Sequence, residues 1–273
     1  MIGIAIVVVV VIVAAFVVAR ATGAPSHDRD WIEAQSRLPR TERDGDVVTI
    51  TNVRNFRWRT DDDYDARWET RSYDLSQIRR VWFGLASFGG RWRGPAHAFL
   101  SFEFADSQFV VISVEARREK GESYGALAGL LNRFEVIYVI GDERDVIGLR
   151  THVWQDPVRL YPIATTPDRV RAVFLALLDR ADEVHDRPEF YNTFIHNCLS
   201  ALLHAANAAR VEPIRFGLDV MLPGYSDRRL HRLGLMDTRL TLASARDAFL
   251  VDATGVSLTD EDFSIRIRDR FPR

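Results

Sequence analysis

The hydrophobic residues of this chain change period once, and that change limits the folds open to it. From residue 46 to residue 161 they come in short runs rich in Val, Ile, Phe and Trp, partly alternating with polar residues, as strands require. After Thr166 they recur every three or four positions, as along one face of a helix. Strands are therefore expected at 47–51, 53–58, 81–85, 98–104, 109–114, 135–140 and 158–161, with 146–151 as a further segment between the last two. Thr166-Pro167-Asp168 is a helix start, and Val170, Val173, Phe174, Leu177, Leu178 and Ala181 follow at helical spacing before Pro188 ends the run. A second helix is expected from about Cys198, with Leu199, Leu202, Leu203 and Ala206 on one face. Strands first and helices after predict an α+β fold, an antiparallel sheet packed with helices.

A different pattern occupies the N-terminus. Residues 2–18 are seventeen apolar residues in a row, which as a helix would extend about 25 Å against a hydrocarbon core of about 30 Å. Ala19-Arg20-Ala21 offers a small-x-small cleavage site, yet no charge precedes the run and the run is long for a signal peptide. An uncleaved transmembrane anchor fits better. The expected organisation is an anchor or signal segment over 1–21, a polar stalk over 22–45, and a single α+β domain over 46–273. Charge adds an exclusion: the formal net charge is −2 and the longest like-charge run is Asp61-Asp62-Asp63, so a nucleic-acid partner has no electrostatic support.

Cys198 is the only cysteine, which rules out an intramolecular disulfide and a thiolate zinc cluster. It follows Asn197 where a loop turns into the second helix. With Asn197 as the cap, unsatisfied N–H groups and the helix dipole would favour the thiolate and could hold an oxyanion. Burial as a small hydrophobe is the competing reading.

A thiol nucleophile needs a histidine, oriented in turn by a polar group. Of seven histidines, His27, His185 and His231 read as solvated, His204 faces away from the first turn of its helix, His196 sits two residues from the cysteine, and His152 is possible. His97 opens the best strand, after the Gly94-Pro95 turn. A three-residue turn over 105–107 would pair Phe104 with Gln108 and, counting outward, His97 with Glu115, whose carboxylate could fix the imidazole tautomer. A two-residue turn would put Glu115 on the other face. Asp142-Glu143-Arg144-Asp145 has no histidine to complete a metal site and is expected as a solvated turn. No phosphate-binding glycine loop, dinucleotide fingerprint or serine elbow occurs, so no cofactor is expected.

Five stretches, 52–60, 97–102, 113–122, 139–147 and 189–198, taken in order, resemble the periplasmic N-terminal domain of the Lnb lipoprotein N-acyltransferases over roughly residues 28 to 210. That family is similar to circularly permuted papain- or NlpC-type thiol enzymes, in which the histidine strand precedes the cysteine helix. The resemblance implies Cys198 as nucleophile, His97 as base and Glu115 as orienting group. Asn197, Arg117 and Glu122 would be substrate-binding or site-lining. It implies a membrane-anchored acyltransferase on the periplasmic side of a bacterial inner membrane, with a phospholipid donor and a lipoprotein amine as acceptor. An NlpC-type hydrolase or amidase, or a non-catalytic anchored binding module, are the alternatives.

Overall fold

The computed structural model describes residues 11–12, 14–15, 24–88, 94–123, 133–193, 197–209, 213–215, 217 and 222–272. Its strands in chain order are β1 (Arg40–Asp44), β2 (Val47–Arg54), β3 (Arg57–Trp58), β4 (Tyr64–Asp65), β5 (Trp68–Asp74), β6 (Ile78–Ser87), β7 (Ala96–Phe104), β8 (Phe109–Arg117), β9 (Glu135–Gly141) and β10 (Val158–Pro162). Eight of them form one sheet in the order β1-β2-β9-β8-β7-β6-β10, with β5 also on β2. The pairings are antiparallel except for a single parallel contact, Arg54 against Gly141. β3 and β4 form a separate small pair. The helices are α1 (Glu143–Gly148), α2 (Pro167–Asp186), α3 (Cys198–Ala208), α4 (Ser226–Arg232), α5 (Leu242–Ala248) and α6 (Phe263–Arg266). The chain is α+β, as its pattern predicts.

Both faces of the sheet are covered, which is why β7 and β8 are buried almost throughout instead of alternating with exposed polar residues. Ala98, Leu100, Phe102 and Phe104 of β7 share a core with Val170, Phe174, Leu177 and Leu178 of α2 and Leu199 and Leu202 of α3. Phe99 points the other way and packs with Trp82, Val111, Val251, Val256 and Phe263. The close β6–β7 approach depends on Gly84, which lies opposite Phe99 in the ladder; a Cβ there would fall 2.2 Å from the Phe99 ring.

The hairpin turns through Ala105–Ser107, with Asp106 and Ser107 at φ 57° and 59°. Phe104 N–H donates to the Gln108 carbonyl at 2.9 Å, and the register runs from Glu103 opposite Phe109 to Phe99 opposite Ser113. The three-residue turn is therefore the one adopted; the paired ladder ends at Phe99 and Ser113, and beyond it the His97 and Glu115 side chains approach to 3.9 Å.

Three expectations need correction. The segment 146–151 is not a strand but the end of α1 and the turn of π-helix Leu149–Val153 that follows. Asp142 caps α1 by accepting the Arg144 N–H. Glu143 and Asp145 are not solvated; both are 0% exposed. Asp145 accepts from Arg54 Nε at 2.9 Å, the Phe56 N–H at 2.8 Å and Trp58 Nε1 at 2.9 Å, and Glu143 accepts from Arg268 Nη1 at 2.8 Å. A short apolar run such as Val146-Ile147 carries no period of its own, and the cap ahead of it decides.

The third correction concerns the stalk. Trp31, Ala34 and Gln35 are buried, and residues 40–44 form β1. Arg117 holds this segment down: its guanidinium lies 4.1 Å from the Trp31 ring centroid and donates to the Gln35 and Ser36 carbonyls, each at 2.8 Å. The packed domain thus includes most of the supposed stalk. The anchor expected over 1–21 lies outside the described residues apart from 11, 12, 14 and 15; among the described residues no helix is long and apolar enough to cross a membrane.

Candidate active site

Asn197 has extended backbone geometry and builds a reciprocal cap: its side chain accepts the Ser200 N–H at 2.8 Å, and Ser200 Oγ accepts the Asn197 N–H at 2.8 Å. That cap fixes where α3 begins, and its first residue is Cys198. The thiol is 4% exposed and meets the backbone N–H groups of Ala98 and Leu199. A cavity of about 360 Å³ opens beside it, at the end of the sheet where β7 begins and β8 finishes, and Cys198, His97 and Glu115 all line it.

His97, Ser113 and Glu115 form a chain on one face of the hairpin. His97 Nε2 lies 2.7 Å from Ser113 Oγ, and Ser113 Oγ donates to Glu115 Oε1 at 2.8 Å; the direct His97–Glu115 separation is 3.9 Å. Burial favours the neutral acid in Glu115. The neighbouring His97, Arg54 and Arg150, with the Ser113 hydroxyl, outweigh that and hold the carboxyl down at about 2. Glu115 is therefore ionised and can only accept. Since Ser113 gives its one proton to Glu115, it accepts from His97, and the imidazole proton sits on Nε2. Nδ1 is left as the basic nitrogen, with no protein partner among the described residues. The other Glu115 oxygen accepts from Gln35 Nε2 at 3.1 Å.

The sulfur is not the preformed thiolate that its helix position predicts. Burial pushes the Cys198 thiol up; the N–H groups of Ala98 and Leu199 and the charge of Arg150 pull the other way without overcoming it, and Glu115 adds to the rise. Burial, helped by Arg150, likewise pushes His97 down to about 3 against the pull of Glu115. The resting pair is neutral thiol and neutral imidazole. Such a pair can still act, with proton transfer accompanying attack.

Of the remaining expected site residues, Asn197 lies at the site as the cap, 2% exposed. Arg117 does not line the cavity; it is committed to the N-terminal segment and does not pair with Glu115. Glu122 lies in the turn after β8, where it accepts the Glu119 N–H at 3.0 Å. His152 is held by Thr151 and the Val256 carbonyl, and His27, expected in solvent, bonds the Val184 carbonyl and Arg117. His196 lies outside the described residues.

Four residues that the sequence reading passed over join the site: Ser113, Gln35, Arg118 and Arg150. Ser113 was within reach, since the register that faces His97 with Glu115 puts Ser113 one step inward on the same face. Gln35 and Arg150 come from segments taken for a stalk and a strand. A second cavity, about 100 Å³, adjoins the first through Gln35, Glu115, Arg118, Arg150 and Trp154 and extends to Arg54 and Trp58. Among the described residues no three metal-binding side chains are grouped to hold an ion.

A family model described as the Lnb N-terminal periplasmic domain matches residues 64–223, a span holding His97, Ser113, Glu115, Arg150 and Cys198. No curated protein and no solved structure matches the chain.

Proposed function

The chain belongs to the Lnb N-terminal periplasmic domain family, and from that premise we propose that it is a cysteine-dependent acyltransferase working at the periplasmic surface of a membrane. The observation that carries this reading is the convergence of Cys198, at the capped start of α3, with the His97–Ser113–Glu115 chain around one cavity. The order of histidine strand before cysteine helix also supports a permuted NlpC-like thiol fold.

In the proposed reaction Cys198 Sγ attacks the carbonyl carbon of a phospholipid acyl ester while its proton passes to His97 Nδ1. The imidazolium so formed is stabilised through Nε2–H, Ser113 and the Glu115 carboxylate. Backbone N–H groups at the start of α3 face the developing oxyanion. Collapse breaks the ester C–O bond, the lysolipid oxygen takes the proton from His97, and the acyl chain stays on sulfur as a thioester. A lipoprotein amine then gives its proton to Nδ1 and attacks the thioester, forming the amide and restoring the thiol. Water in place of the amine would make the same site a hydrolase.

The test is intact-mass analysis of the full chain with phospholipid vesicles and a synthetic diacylglyceryl-cysteine peptide. The expected results are an acyl adduct on Cys198 and N-acylated peptide, both absent in Cys198→Ala. Release of free fatty acid without acylated peptide would assign hydrolysis, and undiminished N-acylation by Cys198→Ala would sink the thiol mechanism.

A further inference from the structure

Two buried arginines beside the site differ in how their donors are used. Arg54 gives its Nε to Asp145 and its Nη1 to the Ala34 carbonyl. Arg150 is 6% exposed, yet its guanidinium makes no hydrogen bond among the described residues, and its Nη1 is wholly enclosed. Its nearest carboxylate oxygen, on Asp156, is 3.6 Å from Nη1, and the group stacks 5.0 Å from the Trp154 ring centroid. Arg118 is half-buried, and its side chain makes no hydrogen bond or ion pair among the described residues. A buried guanidinium whose donors make no hydrogen bond is costly to keep unless something else completes it.

Position indicates what would complete it. Arg118 and Arg150 line both cavities, whereas Cys198 and His97 line only the larger one. The two cations therefore stand at the junction, to one side of the sulfur. Of the carboxylates present, Glu115 is engaged by Ser113 and Gln35 and Asp61 by the Trp154 indole, while Asp156 stands 3.6 Å from the Nη1 edge of Arg150, beyond hydrogen-bond reach, and leaves the remaining donors of that guanidinium unused. The free capacity of the junction is for an acceptor-rich anion. The oxyanion of the reaction has the start of α3 to face, so these arginines are available for a group that is already charged in the substrate.

We propose that Arg150 and Arg118 form a subsite for the phosphodiester of the acyl donor, which fixes the lipid with its ester carbonyl over Cys198. The proposal rests on the acyltransferase reading for the identity of the ligand, and it assigns these two residues as substrate-binding groups. Guanidinium is suited to the task because its planar donors match phosphate oxygens two at a time.

Binding is measured by titration calorimetry on the full chain carrying Cys198→Ala, so that the result does not depend on turnover. The probes are dihexanoyl phosphatidylglycerol, uncharged dihexanoylglycerol and inorganic phosphate. The charged lipid should bind about tenfold or more tightly than the uncharged one, and Arg150→Gln should remove that advantage while Arg150→Lys keeps part of it. Arg118→Gln, at a half-buried position, should weaken charged-lipid binding in the same direction and serves if Arg150→Gln does not fold. Equal binding of the two lipids, or an undiminished preference in both glutamine variants, would overturn the proposal. Inorganic phosphate binding as tightly as the charged lipid would overturn the assignment to a lipid. An intact charge preference in a protein that never forms an acyl adduct would retain the subsite and reject the acyltransferase reading alone.

Discussion

At the scale of single residues, the candidate site rests as neutral groups. With the Cys198 thiol raised by burial and the His97 imidazole lowered to about 3 by burial and Arg150, no range of pH holds both as an ion pair in the free protein. The alkylation rate of Cys198 by iodoacetamide should therefore climb steadily with pH through about 7 to 9 as the thiolate fraction grows. A rate already level below about pH 7 would mean that the ion pair exists after all. Ser113→Ala separates the imidazole from its carboxylate and should lower the acylation rate about a hundredfold with little change in KM. The ¹⁵N shifts of His97 should then show the proton redistributing between its two nitrogens, a change that mere loosening of the strand would not produce. The nearness of His97 to Glu115 could be counted from the sequence because a three-residue turn sets the hairpin register. The protonation state of the sulfur could not, because it depends on which distant segments cover it.

At the scale of elements, the hairpin and the two long helices were legible because each has a clear period and its own punctuation. Thr166-Pro167-Asp168 and Asn197 mark the starts of α2 and α3, and the structure begins both helices there. The stretch 142–151 was not legible, since its apolar residues are few and its acids are buried by arginines from remote parts of the chain, Arg54 and Arg268. Nor did composition reveal why β6 carries a glycine. With the Phe99 ring 2.2 Å from where a Cβ would stand, Gly84→Ala should destabilise the fold by about 1–3 kcal/mol, read from the midpoint of urea unfolding. Because Phe99 stacks against His97 at 6.1 Å, the same variant should also slow acylation; unchanged stability and rate together would show that the ring can move aside freely.

At the scale of the whole molecule, the sheet is enclosed on one side by α2 and α3 and on the other by the C-terminal segment, which supplies Val251, Val256, Phe263 and Ile267. That segment is also tied electrostatically, since Arg268 pairs with Glu143 and lies over the rings of Trp82 and Phe109. Removing the cation leaves a fully buried carboxylate with the Ser101 hydroxyl as its one remaining side-chain donor among the described residues. Arg268→Ala should cost about 3–5 kcal/mol of unfolding free energy, and Glu143→Gln combined with it should recover part of the loss. A loss below about 1 kcal/mol would place the closure in the apolar contacts alone.

The covered N-terminal segment has a mechanical consequence. Gln35, which steadies the Glu115 carboxylate, sits on the stretch clamped by Arg117, just upstream of the first strand. A force applied along the chain from residue 24 would load the ties of this segment in turn, from the Ser26 N–H on Glu135 to the Arg117 clamp, before it reached β1. If the clamp slipped, the carboxylate behind the histidine would lose a donor while the strands stayed paired. On the acyltransferase reading, tension at the leading end would disturb the support of the Glu115 carboxylate before it parted the strands.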